Sequence, residues 1–481
     1  MLDLSFSLGF IINIRLYILK FTIESRDIVK KIVLITILCL TAIYFQFYYQ
    51  VNDNDDTLQS AVASSSANPQ HVDDLKLVAT SHYPKDNPAS NEPLLRWQKD
   101  LTAVYFELEL FDHKPENLSD NELSSEHLYY TATIYTNAVQ LDLRQIAPEA
   151  LGKKPLYWRV RAMDFDHEPS SKFSDLEILY ANNTPSPMQS PIPNAQYNQH
   201  IGTTILYPAY DFIPNANATQ FEIEVLNAPP ENPRGITPSI HRIFSQVINS
   251  NELYDPYPRI GTYYWRVRGL DDNGNPVGVY SDAQKFRNEP SDNWEFAILG
   301  DSISHGGGHL SFGPEDWEYS YAYYLDFPVI NLSHSGDTSS TMVERFDSDV
   351  LPFHPKYLLI MCGTNSIRAG VPAESVIADI QTIQQKCYDN NITPILLTLA
   401  TINPHNIQKV FDEGTSDNWL ENLNAVNRYI RTQPHIDTAA TLNSPGILPT
   451  HYAMDGLHGD IPAKKLYAKA INENISQFIN K

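Results

Sequence analysis

Positive charge is scarce in this 481-residue chain. Its 34 Lys and Arg stand against 57 Asp and Glu, a net charge of −23. Nucleic-acid binding needs a basic stripe, so no nucleic-acid partner is expected. Cysteine is scarcer still: three residues cannot make a disulfide framework. Glycine, at 20, is outnumbered by 33 prolines, and charged residues are only 19% of the chain. The 42% hydrophobic content excludes a mostly disordered chain. The length sets a prior of about three domains. What is abundant is tyrosine, 28 residues, which with the prolines suits β-rich extracellular modules better than helix bundles.

Ile32 to Tyr49 carries no charge and one Gln over 18 residues, just enough to cross a bilayer core. Arg26, Lys30 and Lys31 precede it; Asp53, Asp55 and Asp56 follow. Basic residues stay cytoplasmic, so everything after about residue 50 is expected to be extracytoplasmic, at the cell surface or in the periplasm. No small-x-small cleavage site follows the bulky Tyr-Phe-Gln-Phe-Tyr-Tyr end, which favours a signal anchor over a cleaved signal. Cys39 follows Ile37 and Leu38 rather than small residues, against a lipoprotein signal. Leu2 to Ile23 is also apolar but is interrupted by Arg15 and Lys20; a second span and an interfacial piece both fit. The expected division is thus a cytoplasmic segment with a transmembrane helix at 1–51. A flexible linker rich in Asp, Asn, Ser and Ala follows at 52–74.

The middle of the chain is duplicated. Tyr157-Trp158-Arg159-Val160-Arg161 recurs as Tyr264-Trp265-Arg266-Val267-Arg268, and Phe173-Ser174-Asp175 as Tyr280-Ser281-Asp282, both at an offset of 107. Phe106-Glu107-Leu108-Glu109-Leu110 matches Phe221-Glu222-Ile223-Glu224-Val225 at an offset of 115. Three matches in order point to duplication. Alternation in Trp158-Arg159-Val160-Arg161 predicts a half-buried strand with its arginines on the outer face. No helix of useful length is expected between about 75 and 288. Two all-β sandwiches, 75–182 and 183–289, follow. With Trp97 near the start, they resemble fibronectin type III modules. As a rigid spacer they would hold the last domain off the membrane; as glycan binders they would use exposed Tyr and Trp.

From Trp294 the pattern changes. Trp294–Leu299, Pro328–Leu332, Tyr357–Cys362 and Pro394–Leu399 are short apolar runs of the kind buried on both faces of a parallel sheet. Between and after them come helical stripes. Val376, Ile380, Ile383 and Cys387 form one; Leu420, Leu423, Val426 and Ile430 another. Leu466, Ala470, Ile471, Ile475 and Phe478 form the last, with Asp460 as N-cap and Pro462 near N1. Residues 293–481 are therefore expected to be a doubly wound α/β domain, with chemistry at the carboxyl ends of its strands.

Those ends carry Gly300-Asp301-Ser302-Ile303-Ser304, then Asn331-Leu332-Ser333-His334-Ser335-Gly336-Asp337, then Gly363-Thr364-Asn365-Ser366. Asp455-Gly456-Leu457-His458 precedes the last helix. Each is weak alone. Together they resemble the four signature blocks of the SGNH/GDSL hydrolases, serine esterases on a flavodoxin-like, three-layer α/β fold. The resemblance implies Ser302 as nucleophile, His458 as base and then acid, and Asp455 orienting the imidazole. It implies an oxyanion hole from the Ser302 and Gly336 backbone N–H groups and the Asn365 amide, with no metal and no cofactor. Ile303, Ser366, Ala463 and Lys464 depart from the family pattern without removing a reacting group.

Several side chains compete for attention. His305-Gly306-Gly307-Gly308 looks like the oxyanion loop of another lipase fold, but the chain lacks the Gly-x-Ser-x-Gly elbow that goes with it. The glycines suit a flexible pocket wall and argue against His305 and His309 as helical metal ligands. His334 and His451 fit polar loop residues or substrate contacts, Cys362 and Cys387 buried thiols, and Arg368 a surface ion pair or a contact for an anionic substrate. The expected function is an extracytoplasmic serine esterase acting on O-acetyl groups of a polysaccharide or peptidoglycan. Lipid or lysophospholipid esters are the alternative, and a non-catalytic glycan-binding scaffold is the rival of another class. The sequence does not fix the oligomeric state.

Overall fold

The computed structural model describes residues 75–479 except 101–102, 195–202, 309–316, 412–413, 441 and 443–445. The expected span at 32–49 and linker at 52–74 lie outside the described residues. Among the described residues no helix is long and apolar enough to cross a membrane.

The region up to residue 288 is β-rich and built from several sheets. In the first repeat, Tyr129–Ile134, Tyr105–Phe111, Leu156–Met163 and Glu177–Leu179 form one antiparallel sheet, and Leu94–Arg96 pairs with Ala138–Gln140 in a second. Trp97, Phe106, Leu108 and Trp158 share the core between them. In the second repeat, Gln220–Leu226 lies between Arg242–Ile248 and Gly261–Leu270. A three-stranded sheet of Glu252–Tyr254, Ala209–Ile213 and Ile192–Pro193 lies alongside it in the same repeat. Its core gathers Tyr210, Phe212, Ile223 and Trp265.

The arginine face does not meet solvent as the alternation predicts. Arg159 and Arg266 are fully buried. The register sets Glu109 opposite Arg159 and Glu107 opposite Arg161, and the second repeat sets Glu224 opposite Arg266 and Glu222 opposite Arg268. Each Arg Nε donates to its carboxylate at 2.6–2.7 Å. Loop carbonyls of Ser119, Asn121, Glu122, Asn232 and Ile236 accept further guanidinium N–H groups. Phe173 and Tyr280 then cover each arginine pair, with ring centroids 3.8–4.7 Å from the guanidinium carbons. Ser174 and Ser281 Oγ accept the Val160 and Val267 N–H at 3.1 Å. This is the physical content of the repeated Phe/Tyr-Ser-Asp stretch. A slip of one residue would set each buried carboxylate opposite an apolar side chain, so the pairs hold the register.

The C-terminal sheet is six-stranded and parallel throughout. Its order is His435–Ile436, Thr393–Leu397, Tyr357–Met361, Phe296–Gly300, Ile330–Asn331 and Thr204–Ile205. Four of these strands fall on the four apolar runs. The strand order reverses around Phe296–Gly300, which places the ligand crevice beyond its carboxyl end. The helices Ala373–Asp389 and Trp419–Ile430 bury Val376, Ile380, Ile383, Leu423 and Val426 against the sheet. Cys362 and Cys387 are buried thiols. In Ile461–Asn474 the buried face is wider than the expected stripe: Leu466, Ala470 and Ile471 pack in or against the core, and Ala463, Lys464, Tyr467 and Ala468 are buried as well. Asp460 stands at the N-cap position, but its carboxylate accepts the Met454 N–H at 2.9 Å rather than capping the helix.

The sixth strand comes from the β-rich region, within the stretch assigned to the second module. Thr204 N–H donates to the Val329 carbonyl at 3.1 Å and Leu206 N–H to the Asn331 carbonyl at 2.8 Å. Leu206 and Tyr207 are buried in the α/β core. Buried Asn288 donates to the Ile205 carbonyl at 3.0 Å, tying the same segment back to its own module. An independent spacer would share no sheet with its neighbour; this one supplies a strand.

Candidate active site

Gly300 ends the central strand where a Cβ would collide with the Ser304 side chain. The glycine's lack of a Cβ lets a four-residue helix, Ser302–His305, start at once. Asp301 caps it: one carboxylate oxygen accepts the Ile303 N–H at 3.0 Å. Ser302 is thereby placed at the first turn, facing the crevice. The Asp455–His458 turn reaches it from the approach to the last helix. Asp455 Oδ1 accepts the backbone N–H groups of Leu457 and His458, both at 2.8 Å, and its Oδ2 faces His458 Nδ1 at 2.7 Å. His458 Nε2 lies 2.8 Å from Ser302 Oγ. With Nδ1–H donating to a buried carboxylate, Nε2 is left as the acceptor for the serine proton.

Gly336 has φ 89°, a conformation a side chain would strain, and sits in the loop after Ile330–Asn331. Asn365 lies in the first turn of the short helix Thr364–Arg368 after Tyr357–Met361; its amide donates one hydrogen to the Asp337 carbonyl at 3.0 Å. That bond fixes the amide while a second hydrogen remains for an oxyanion. Ser366, in the place of the family's usual Asp, accepts the Ser339 N–H at 2.9 Å and so ties the second block to the third. All five sequence-predicted residues, Ser302, Gly336, Asn365, Asp455 and His458, line one cleft of about 930 Å³.

The same cleft is lined by side chains the sequence reading did not assign to it: Glu252 and Tyr254 from the β-rich region, and Phe411. Phe411 packs edge-on against His458 with ring centroids 5.9 Å apart. Arg368, which the sequence leaves open between a surface ion pair and a substrate contact, lines the cleft, its guanidinium 5.7 Å from the Phe411 ring. His334 packs on Tyr207, and His451 is exposed against Tyr452.

His305 is buried and braces the site. Its Nε2–H donates to the Tyr207 carbonyl at 2.7 Å, and Nδ1 accepts from the Ser335 N–H and hydroxyl at 3.2 and 2.8 Å. Burial pushes its pKa down to about 3, so it stays neutral. It thus fixes the residue beside Gly336 to the β-rich region. Lys464 is fully buried beneath the nucleophile, donating to the Ile303 carbonyl at 2.8 Å. Burial lowers its pKa to about 8. The only sequence sign of it was a departure from the family's last block.

Asp301 is the costly group here. It is fully buried, one of its oxygens has no hydrogen-bond partner, and burial pushes its pKa up to about 6 from 3.8. A carboxyl raised in the folded state holds its proton longer than in the unfolded chain. Its stabilising contribution is therefore complete below pH 3.8 and lost as pH rises to about 6. Asn at this position keeps the cap and never ionises. Asp301→Asn should gain stability relative to the wild type across that window, by up to about 3 kcal/mol at neutral pH. Urea unfolding between pH 4 and 7 measures it, and a constant difference across the range would refute the assignment.

Residues 298–460 match the model of the GDSL-like Lipase/Acylhydrolase family. No curated protein matches the chain. Among solved structures, the chain is similar to a GDSL-like lipase from Bacteroides thetaiotaomicron, 17% identical over 39% of this chain and 91% of that one, with a TM-score of 0.31. It is also similar to the psychrotrophic esterase EstA of Pseudoalteromonas sp., 20% identical over 39% and 98%, TM-score 0.31. A third is a catalytic mutant of the acetylxylan esterase Axe2 of Geobacillus stearothermophilus, 18% identical over 37% and 93%, TM-score 0.29. The family match brackets the serine turn, both donor loops and the Asp-x-x-His turn. Residues 298–460 thus form a GDSL/SGNH-type lipase/acylhydrolase domain, and the chain that carries it is a hydrolase.

Proposed function

We propose that this protein is a membrane-anchored, extracytoplasmic serine esterase that removes O-acetyl groups from a polysaccharide or peptidoglycan. The observation that carries the esterase reading is the hydrogen-bonded line from Ser302 Oγ through His458 to Asp455 at the cleft. Ser302 Oγ attacks the ester carbonyl as His458 Nε2 takes its proton. The oxyanion is met by the N–H groups of Ser302 and Gly336 and the free hydrogen of the Asn365 amide. Such donors are worth about 10²–10³ in rate each. His458 then protonates the departing alcohol, leaving an acyl-Ser302. Water, deprotonated by the same imidazole, releases the acid.

The anchor and location rest on the apolar run Ile32 to Tyr49 and its flanking charges. The fibronectin type III-like reading of the two β-repeats rests on their shared strand motifs. Hydrolysis of 4-nitrophenyl acetate, butyrate and octanoate by the full chain tests the acyl preference. Acetate is expected to be turned over fastest; a clear preference for octanoate would move the substrate to lipids.

A further inference from the structure

We propose that the Glu252–Tyr254 strand of the second β-repeat is the sugar-recognising wall of the catalytic cleft. This rests on the esterase reading above and extends it to the substrate class. Strand geometry supplies the first step. Alternate residues of a strand point to opposite sides. Leu253 is buried in the core of its module, so Glu252 and Tyr254 face the other way, and both line the cleft with Ser302. Register holds them there: Glu252 pairs with Asp211 and Tyr254 with Ala209.

The wall is fixed relative to the nucleophile. Tyr207, two residues before Ala209, donates its hydroxyl to Asp349 at 2.6 Å and its carbonyl accepts from His305. The Tyr254 ring lies edge-on to His305, with centroids 6.1 Å apart, and remains 40% exposed. Gly306, Gly307 and Gly308 line the cleft between this wall and the catalytic serine. The cleft, about 930 Å³, has room for a ring-sized group beside Tyr254. The chemistry of the wall selects what fills that room. An aromatic face accepts the C–H face of a pyranose, and an adjacent carboxylate accepts its hydroxyls. The alcohol portion of the ester is therefore polyhydroxylated.

The test compares full-length wild type with Tyr254→Ala, Tyr254→Phe and Glu252→Gln on two substrates. These are a partially O-acetylated xylo-oligosaccharide and 4-nitrophenyl acetate. The ratio of kcat/KM on the oligosaccharide to that on 4-nitrophenyl acetate should fall about tenfold in Tyr254→Ala and be largely retained in Tyr254→Phe. It should also fall in Glu252→Gln. An unchanged ratio in Tyr254→Ala, even if both activities drop, would overturn the wall's role in recognition. Wild-type turnover of 4-nitrophenyl acetate without any release of acetate from the oligosaccharide would overturn the sugar assignment while leaving the esterase standing. Turnover of neither would remove the esterase reading itself.

Discussion

Ser302→Ala should lower kcat by about 10⁴–10⁶, and the double variant Ser302→Ala/His458→Ala should lose little more. The geometry explains the non-additivity. His458 is useful only because its Nε2 sits 2.8 Å from the hydroxyl it deprotonates, so removing either partner removes the same step. The informative variant is Asp455→Asn. The Asn oxygen would still accept the two backbone N–H groups that Asp455 Oδ1 now accepts, so the turn survives. Its amide, however, would present an N–H to His458 Nδ1 where a carboxylate now stands at 2.7 Å. That favours the tautomer with the proton on Nε2, which cannot accept one from Ser302. A loss of about 10⁴ with unchanged folding is expected. Near-normal turnover by Ser302→Ala on purified protein would end the mechanism.

The catalytic set was legible because each member sits in a short contiguous block, three of them at the ends of strands marked by unambiguous apolar runs and the fourth just before the helix Ile461–Asn474. Gly300 to Ser304 and Asp455 to His458 carry their chemistry within five residues. What surrounds the set was not legible, for different physical reasons. Thr204–Ile205 is a strand of two residues, too short for any periodicity, and only its neighbours Val329 and Asn331 make it one. The buried arginines look like an outer face because alternation reports polarity, not exposure. The carboxylates on the neighbouring strand, at matching intervals, are what allow burial. Lys464 and Asp301 are charged residues in a core, and no pattern in the chain distinguishes them from surface charges. Tyr254 needs a fold in which two regions share a cleft before it has any role at all.

Residues 293–481 expressed alone should show no cooperative thermal transition and should lose more than about 10² in kcat/KM. The α/β domain leaves its sheet one strand short, and the exposed edge at Ile330–Asn331 becomes a site for association. Leu206 and Tyr207 leave the core, each worth about 1.5–3 kcal/mol of burial. The buried His305 Nε2–H loses its acceptor, the Tyr207 carbonyl, at a cost of about 1–3 kcal/mol. Against a typical domain stability of about 5–15 kcal/mol these losses are decisive. The activity follows by a separate route. Without Tyr207, His305 is free to turn, and the Ser335 N–H and hydroxyl that it accepts no longer hold the loop carrying Gly336. An oxyanion donor on a loosened loop must be reordered in every turnover, which erodes the benefit of preorganisation. Differential scanning calorimetry and 4-nitrophenyl acetate turnover on 293–481 beside 183–481 separate the two effects. If 293–481 melted cooperatively and matched the longer chain in kcat/KM, the second β-repeat would be a spacer after all. If only the longer chain does so, the unit that catalyses is larger than the unit that bears the family motifs.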